Sequence, residues 1–570
     1  MWWAAGTVSA LDEGNIVDGD DIGATGVFVP VVDGTALTFT SSGGDFVDDQ
    51  TGSTWNLLGM AVGGPLVDRQ LEPVAHVDTF WFAWSAFRPD TAVAAGGRSC
   101  QECGPAMTGF RLVLSISRRR LLALPAIGAA AALVLRNSAN RNSPERLEVG
   151  ASSPLLTAEE SPVYDQSFAA FASQLSVAVG DELIIRARSA RLLSVTVQRV
   201  GSARGSSSGR PTEFRTGADA RAGKGVDDVS QWPIVFHKAI DESWGSGLYV
   251  AVVTDDNVPP ARRFAPFVVR DHRPTRPIVV QIPFTTYHAY NAWGGASLYQ
   301  FNSPGGVATS LAVARPFDVF DGAGFMFYGD WQLARWLDRA QYDVSFVTSY
   351  DLHCDANLLD GAALFVSAFH DEYWSTPMRS HLEGFVAAGG NAAFFAANSI
   401  YWRIRLDETT MTCHKAASAD EDPHFDTTGR WRDPTVGAPE HELLGSHYES
   451  YDFPYGHGYD WTVSNQNHWL YEGTGLRTGD RLQRLVGYEW DNAPHDDAEG
   501  VDVVSHTQFA DRAGKPRLHE AVVRTHPGGG TVVNVGTTYW PRFLQGDDAF
   551  PTSPQVQRMT ANVLERLGRR

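Results

Sequence analysis

The stretch AALFVSAFHDEYWSTPMRSHLEGFVAAGGNAAFFAAN, residues 362–398, decides the expected fold of the larger part of this chain. It opens with an apolar run of strand length, passes through a helical pattern at residues 378–390 and closes with a second apolar run. Strands that alternate with helical patterns are typical of a parallel sheet covered by helices. The same alternation extends outward, so we predict a doubly wound α/β domain over residues 275–570. An insertion at residues 405–480 has the length of a lid or binding element.

Three apolar runs of this domain end in polar and aromatic residues. FHDEYW (residues 369–374) follows one run, TTYHAYNAWGG (residues 285–295) a second, and NSIYWRIR (residues 398–405) a third. The carboxyl ends of strands are where open α/β sheets place their ligands. We therefore expect these side chains to form a site. In the structural alternative, the aromatic residues are core and the acids cap a helix.

The residues before this domain have other patterns. Residues 166–272 consist of short β-rich runs broken by Gly, Asp and Pro, which predicts an immunoglobulin-like β-sandwich. Residues 137–165 are polar and indicate a linker. Residues 107–136 carry three arginines ahead of an apolar run, the layout of a twin-arginine secretory signal. The run at residues 121–135 is shorter than the roughly 20 residues of a spanning helix.

This signal-like segment sits in mid-chain, where such signals are not read. We therefore expect residues 1–106 to be a fused upstream piece. A chain translated from Met107 is expected to be exported, or tethered to a membrane through residues 121–135.

Composition restricts the partners of the protein. The 570 residues carry a net charge of −20, which argues against nucleic acid as a partner. Four cysteines imply no disulfide framework. Cys100 and Cys103 have the spacing of a metal or redox pair, but no second pair follows them.

An ordered set of motifs carries a family resemblance. Residues 146–570 resemble the large (beta) subunit family of N,N-dimethylformamidase through TYHAYNAWGGASLY, HDEYWS, ANSIYWRIR, CHK, LVGYEWD and NVGTTYW. Residues 1–95 resemble the tail of an uncharacterised bacterial domain family through TGSTWNLLGMAVGGPL and HVDTFWFAWSAFRPDT. The first resemblance implies a class I glutamine-amidotransferase-like fold for the α/β domain. The GxCxG or GxSxG nucleophile elbow is absent from residues 275–570, so amidotransferase chemistry does not follow.

The resemblance also implies a metal centre. It assigns a mononuclear ferric iron to two tyrosinates and a glutamate. Glu372 and Tyr290 match two of these ligands, and the second tyrosine is either Tyr249 or its rival Tyr287. Hard oxygen ligands suit a hard cation, whereas thiolates would select a soft metal.

The resemblance further implies hydrolysis of the C–N bond of a small amide. His370 would accept a proton or orient water, and Glu489 would protonate the leaving amine. Asn398 and Lys415 would donate hydrogen bonds to the developing oxyanion. The alternatives are a non-catalytic module that binds carbohydrate or peptide, and hydrolysis of an imide or ester. A homo-oligomer or a separate small subunit also fits the family.

Overall fold

The computed structural model describes residues 2–4, 24–42, 45–73, 79–80, 111–112, 167–201, 218–219, 229–257, 260–415, 422, 426–494, 500–546 and 549–569. The chain divides into two compact units, Met1–Asn142 and Ser143–Arg570. The described part is rich in β-strands and has few helices. The predicted linker, most of the signal-like segment, and Cys100 and Cys103 lie outside the described residues. Within the described residues, no helix is long and apolar enough to cross a membrane.

The first unit is made of short antiparallel strands. Its largest described sheet has four strands, Phe39–Ser42, Asp45–Asp48, Thr54–Trp55 and Ala61–Gly63. Trp55 is fully buried at the centre, and its indole donates to the Asp48 carboxylate at 2.9 Å. The other strands are Trp2–Ala4, Ala24–Gly26, Phe28–Val29, Val31–Val32, Thr35–Ala36, Glu72–Pro73, Thr79–Phe80 and Arg111–Leu112.

The second unit begins with two sheets that share one apolar core. The first sheet contains Ala169–Ala172, Glu182–Arg188 and Ile234–Ala239. The second contains, in spatial order, Ser176–Val177, Arg262–Val269, Gly247–Asp255, Leu192–Arg199 and Ala218–Asp219. Side chains of both sheets, such as Ile185 and Phe267, meet in the core between them. On the other face of the second sheet, Leu248 and Val250 join the core of the α/β region.

A seven-stranded sheet organises the rest of the unit. We number its strands in chain order: β1 Ile278–Ile282, β2 Val344–Thr348, β3 Leu364–His370, β4 Asn391–Ala397, β5 Val501–Ala510, β6 Pro516–Thr525 and β7 Thr531–Asn534. Their spatial order is β2-β1-β3-β4-β7-β6-β5. The first five run parallel, and β6 and β5 are antiparallel additions.

Helices cover both faces of this sheet. They are α1 Phe284–Tyr290, α2 Asp330–Arg339, α3 Ser349–Cys354, α4 Thr376–Ala387, α5 His441–Leu444, α6 Arg542–Gln545 and α7 Pro554–Leu567. Helices α2, α6 and α7 share a core with one face of the central strands. Helices α3, α4 and α5 share a core with the opposite face. Burial on both faces explains why β3 is apolar along most of its length, since alternation is lost when neither face meets water.

Local sequence features determine where α4, the helix that follows β3, begins. The Ser375 hydroxyl accepts a hydrogen bond from the backbone N–H of Met378, and a proline lies in the first turn of α4. Both features favour a helix start at this point. The chain therefore has only five residues, 371–375, between β3 and α4, and these carry the centre of the candidate site.

The strand order creates a cleft at a defined place. After β1 the chain turns to β2 on one side, and the later strands β3 and β4 are added on the other side. In open α/β sheets, ligands bind at the carboxyl ends of the two strands that flank such a reversal. The flanking strands here are β1 and β3, which lead into Tyr290 and into the His370–Glu372 turn.

The insertion after β4 supplies the remaining walls of this edge. Its strands are Trp402–Leu406, Thr410–Thr412, Gly429–Arg430, His447–Tyr451, Tyr459–Thr462, Arg481–Val486 and Glu489–Asn492. The pairing of His447–Tyr451 with Glu489–Asn492 places Glu489 opposite Tyr451. Two small strands that precede and follow β3, Ser310–Ala312 and Tyr373–Ser375, complete the sheet around Trp402–Leu406.

Candidate active site

The turn after β3 is held by a buried carboxylate. Asp371 is fully buried and accepts hydrogen bonds from the Ser367 hydroxyl at 2.7 Å, the Gln281 amide at 2.8 Å and the Trp374 indole at 2.8 Å. Phe369, one residue before His370, has a left-handed φ of 58°. Such a conformation is costly for a bulky residue and is concentrated at functional sites. The turn thereby aims His370 and Glu372, on either side of Asp371, away from the sheet core.

We expect Asp371→Ala to destabilise the protein by at least about 2 kcal/mol. The change leaves two buried donors, Ser367 and Gln281, without an acceptor, whereas the Trp374 indole keeps the Asp371 backbone carbonyl at 3.1 Å. Each donor left without an acceptor costs about 1–3 kcal/mol. Urea denaturation followed by tryptophan fluorescence measures the effect. Asp371→Asn keeps an acceptor oxygen of the same size and should cost less. Equal unfolding midpoints for Asp371→Ala and the parent would show that Asp371 does not hold the turn.

Three oxygen-bearing side chains meet in front of this turn. The Tyr290 hydroxyl donates to Glu372 Oε2 at 2.8 Å, and the Tyr299 hydroxyl donates to the Tyr290 oxygen at 2.7 Å. Tyr299 also lies 3.0 Å from Glu372 Oε2 and 3.1 Å from Oε1. Burial, with the Glu372 carboxylate beside them, raises the pKa of both phenols well above 10. We call Tyr290, Tyr299 and Glu372 the oxygen triangle.

Tyr373 and Lys415 extend the triangle on the Tyr299 side. The Tyr373 hydroxyl donates to the Tyr299 oxygen at 2.6 Å. The Lys415 ammonium lies 3.1 Å from the centre of the Tyr299 ring and 4.9 Å from that of Trp402. Burial lowers the pKa of Lys415 to about 8, although the Glu372 carboxylate opposes that shift. Lys415 is therefore a cation held against aromatic faces next to the triangle.

His370 joins the triangle to a second carboxylate. Its Nε2 lies 2.9 Å from Glu489 Oε2 and 3.5 Å from Glu372 Oε2. Burial alone would lower the pKa of His370, but the two carboxylates outweigh it and raise the pKa to about 9. The Tyr488 hydroxyl lies 3.5 Å from Nδ1 on the other side of the ring. Although they are close, His370 Nε2 and Glu489 Oε2 form no well-angled hydrogen bond, and both atoms are buried.

Asn398 follows β4 in a second strained position. Its φ is 53°, and its backbone N–H donates to Asp491 at 2.9 Å. Asp491 is fully buried and also accepts a hydrogen bond from Asn534 at 3.0 Å. Within the described residues, the Asn398 side-chain oxygen is buried and has no hydrogen-bond partner. Asn398 is thus held by its backbone while its amide is left for another group.

The donor set of the triangle fits a hard metal cation. Oxygen ligands that bind one ion at about 2.0–2.2 Å and subtend a right angle lie about 3 Å apart. The edges of the triangle, 2.8, 2.7 and 3.0 Å, match that spacing. Its members are two phenols and a carboxylate, with no thiol among them, as a hard cation prefers. No group of three or more His, Cys, Asp or Glu side chains within the described residues is arranged to hold a metal. The fit therefore depends on the tyrosines.

The structure does not bring Tyr249 or Tyr287 to the triangle. Tyr249 packs in the sandwich core between Trp244 and Phe267, and its hydroxyl donates to the Gly245 carbonyl at 2.9 Å. Tyr287 donates to the buried Asp330 carboxylate at 2.6 Å. Neither geometry agrees with the assignment of the second tyrosine ligand made from the sequence. The tyrosine that stands beside Tyr290 is Tyr299.

The other predicted residues do meet at one edge. Tyr290, His370, Glu372 and Glu489 are linked by the distances given above, and Lys415 reaches the triangle through Tyr299. Sequence reasoning missed Tyr299, although it lies in the quoted motif YNAWGGASLY. It also missed the roles of Tyr373 and Asp491. The loop of residues 291–298 returns Tyr299 to Tyr290, stacking the rings at 4.2 Å, and no sequence spacing signals that return.

Two recesses lie away from these residues. One of about 660 Å³ is lined by residues at the start of β3 and β4, the opposite edge of the sheet. One of about 370 Å³ is lined by His353, Ser375 and Asp407 among others. Neither includes a member of the oxygen triangle. We locate the site by its chemistry, because buried titratable groups with shifted pKa values cluster at functional sites.

The fold and the site define an α/β protein with a buried cluster of acids, phenols and an imidazole at the carboxyl edge of a parallel sheet. The chain belongs to the N,N-dimethylformamidase beta subunit-like, C-terminal family, whose sequence model matches residues 194–554. Residues 1–91 match a second family, described as protein of unknown function DUF3179. Both resemblances read from the sequence are confirmed. Membership of the first family suggests a dimethylformamidase-like function, the hydrolysis of an amide.

Comparisons with other proteins add no further identity. No curated protein matches the chain. Among solved structures, the mmIFT52 N-terminal domain is 10% identical with a TM-score of 0.24, over 40% of this chain and 86% of that one. Exo-beta-1,4-mannosidase Op5Man5 from Opitutaceae bacterium strain TAV5 is 12% identical with a TM-score of 0.24, over 52% of this chain and 36% of that one. TM-scores this low give no basis for inferring a common fold or function.

Proposed function

We propose that this protein is an iron-dependent hydrolase of the C–N bond of amides. The observation that carries the proposal is the oxygen triangle of Tyr290, Tyr299 and Glu372, with the His370–Glu489 pair directly beside it. The triangle offers ligands to a ferric ion, and the pair offers an acid and a base. We also propose that residues 166–272 form an immunoglobulin-like domain and that residues 275–570 are amidotransferase-like.

When bound, the iron would act as a Lewis acid that polarises the amide carbonyl and acidifies water. The chain supplies everything else. Tyr290, Tyr299 and Glu372 would hold the ion, and Tyr373 would keep Tyr299 in place through its 2.6 Å hydrogen bond. A thiol or serine nucleophile is not required, in keeping with the missing elbow motif.

Proton transfer falls to His370 and Glu489. Their facing atoms are 2.9 Å apart, so a rotation of one side chain would align them for transfer of a proton. In the site without a metal, the Glu489 and Glu372 carboxylates raise the pKa of His370 to about 9, which makes it a proton donor at neutral pH. We therefore assign donation to the leaving amine to His370, and acceptance of the proton from attacking water to Glu489. This reverses the roles expected from the sequence, and it follows from the carboxylates that surround His370.

Asn398 and Lys415 would orient the substrate. The unpaired side-chain oxygen of Asn398 can accept a hydrogen bond from the nitrogen of an amide. Lys415 places a positive charge close to Glu372, where an oxyanion that forms on the substrate would be stabilised. Hydrogen-bond donors of this kind contribute about 100- to 1000-fold to rate when they are preorganised.

The proposal is tested by metal content and visible absorbance. We expect about one iron per chain and a charge-transfer band from the phenolate ligands. Tyr290→Phe and Tyr299→Phe should each shift or remove the band, because each deletes one phenolate. Tyr249→Phe is the matched control and should leave the spectrum unchanged, since that hydroxyl bonds Gly245. Protein without iron after iron-replete expression, or a band that responds to Tyr249→Phe alone, would contradict the assignment.

Export remains part of the proposal. We propose that the chain from Met107 is exported or membrane-tethered, and that residues 1–106 are dispensable for activity. All residues of the candidate site lie after residue 289. Deletion of residues 1–106 followed by cell fractionation and an amidase assay tests both statements.

A further inference from the structure

Exposed aromatic side chains lie next to residues of the candidate site. Among the described residues, the large exposed apolar side chains that are aromatic are Phe301, Tyr451 and Phe453, with 57%, 55% and 44% of their surface accessible. An aromatic ring that stays in contact with water loses the large favourable free energy that its burial would give. Contiguous exposed apolar groups therefore mark binding surfaces more often than isolated ones do.

Each of these rings is in contact with a residue of the site or with its immediate neighbour. Phe301 lies 5.4 Å from the Tyr299 ring and 6.5 Å from the Tyr290 ring. Phe453 stacks on Tyr488 at 5.4 Å with an interplanar angle of 25°. Tyr488 is the residue whose hydroxyl faces His370 Nδ1. The aromatic groups thus border the site on two sides, one next to the oxygen triangle and the other next to the His370–Glu489 pair.

A further aromatic ring packs directly on the site. Phe325 lies 5.0 Å from Tyr290 and is nearly parallel to the His370 ring, with 20° between the planes and 6.4 Å between centres. On the outer side, Tyr451 contacts Phe453 at 5.4 Å. We call Phe301, Tyr451 and Phe453 the aromatic rim, and Phe325 is an inner ring that contacts the site itself.

A small amide would not use this rim. N,N-Dimethylformamide has five heavy atoms, so with its carbonyl at the oxygen triangle it would contact the innermost side chains and leave the rim uncovered. A planar apolar substituent on the amide would extend one ring outward, to the position of Phe301 or Phe453. Ring pairs at such distances contribute about 0.5–1.5 kcal/mol beyond the burial of their area.

On the basis of the function proposed above, we propose that the physiological substrate is an aryl amide whose ring packs on the aromatic rim. Water adds to the carbonyl carbon, the C–N bond breaks, and the nitrogen leaves with one proton from water. The products are a carboxylic acid and an amine, and no redox partner is required. The ring can sit on the nitrogen, as in formanilide, or on the acyl carbon, as in benzamide, and the two substrates distinguish these cases.

The experiment compares kcat/KM for formanilide, benzamide and N-methylformamide with the full chain loaded with iron. We expect one of the two aryl amides to exceed N-methylformamide by at least about tenfold, the equivalent of one well-packed ring. Phe301→Ala or Phe453→Ala, whichever removes the ring that the substituent reaches, should lower kcat/KM for that aryl amide at least five times more than for N-methylformamide. Leu192→Ala is the control, because this side chain is also exposed, at 56%, but lies on the sandwich.

Equal kcat/KM for aryl and small amides, or rim variants that lower kcat/KM equally for the aryl amide and for N-methylformamide, would overturn the inference and leave the proposed amidase function intact. If no amide is hydrolysed, the proposed function is wrong, and the role of the rim is then tested by measuring the binding of acetophenone. Acetophenone has the shape of an aryl amide and cannot be hydrolysed, so calorimetry should show about tenfold weaker binding in the rim variants. If the rim variants bind acetophenone as tightly as the parent does, the rim does not bind substrate. The same conclusion follows if the only effect of the rim variants is a change in the mass of the oligomer.

Discussion

Glu372→Gln should lose both its bound iron and its amidase activity. Glu372 is the most acidic group in the oxygen triangle, although burial raises its pKa as well. The phenols beside it have pKa values raised well above 10 by burial and by Glu372 itself. A neutral amide of the same shape keeps the packing but is a poor ligand for a hard cation. We expect metal affinity to fall by more than about 100-fold, beyond the loss typical of residues that only support ligands.

Elemental analysis and a turnover assay on the same preparation measure both effects. Glu520→Gln serves as the control, because Glu520 is equally buried but pairs with His506 and the Ala493 backbone. The control should keep its iron. Iron at the parental level in Glu372→Gln would show that Glu372 is not a ligand and would leave the tyrosines without an anionic partner.

The parallel sheet could be predicted because its strands are buried on both faces. Residues 364–370 and 391–397 are apolar almost throughout, and the helical pattern between them has the length of a crossover. The two antiparallel strands β5 and β6 were harder to place. They follow the insertion, and their position at the sheet edge depends on long-range pairing with β7. Periodicity cannot report which strands pair.

The candidate site was predictable where strand ends supply it and not where loops supply it. His370 and Glu372 follow β3 directly, so their place at the carboxyl edge follows from the sheet. Tyr299 reaches the triangle through a loop, held partly by Asn302, whose side-chain amide donates to the Tyr290 carbonyl at 2.7 Å. The resemblance offered Tyr249 as the second tyrosine ligand, but Tyr249 lies in the core of the sandwich. Matching a motif along the sequence does not place two residues together when they belong to differently folded layers.

The pairing of His370 with Glu489 is an example of chemistry that sequence cannot reveal. The two residues are 119 positions apart, and they meet because the insertion returns the strand Glu489–Asn492 to the carboxyl edge of the sheet. That return places two carboxylates around one imidazole. The raised pKa of His370, and with it the direction of proton transfer, is a property of the assembled site.

His370→Gln is expected to retain iron but to lose about 100- to 10000-fold in kcat, the range typical of losing a general acid or base. Glutamine can still bond Glu489 from a similar position, so the fold and the metal ligands should persist, but it cannot carry a proton to the leaving amine. The matched control is His519→Gln, since His519 is also fully buried but bonds the Val535 carbonyl. Its kcat should change by less than about threefold.

Comparing amides whose leaving amines differ in basicity distinguishes loss of proton donation in His370→Gln from a general loss of structure. A substrate whose leaving amine is less basic needs less protonation as it departs, so the His370→Gln deficit should shrink for such amides. A deficit that stays constant across leaving amines would mean that His370 does not donate the proton. If His370→Gln lowers the iron content but leaves the turnover per bound iron unchanged, His370 is a metal ligand. Its Nε2 lies 3.5 Å from Glu372 Oε2.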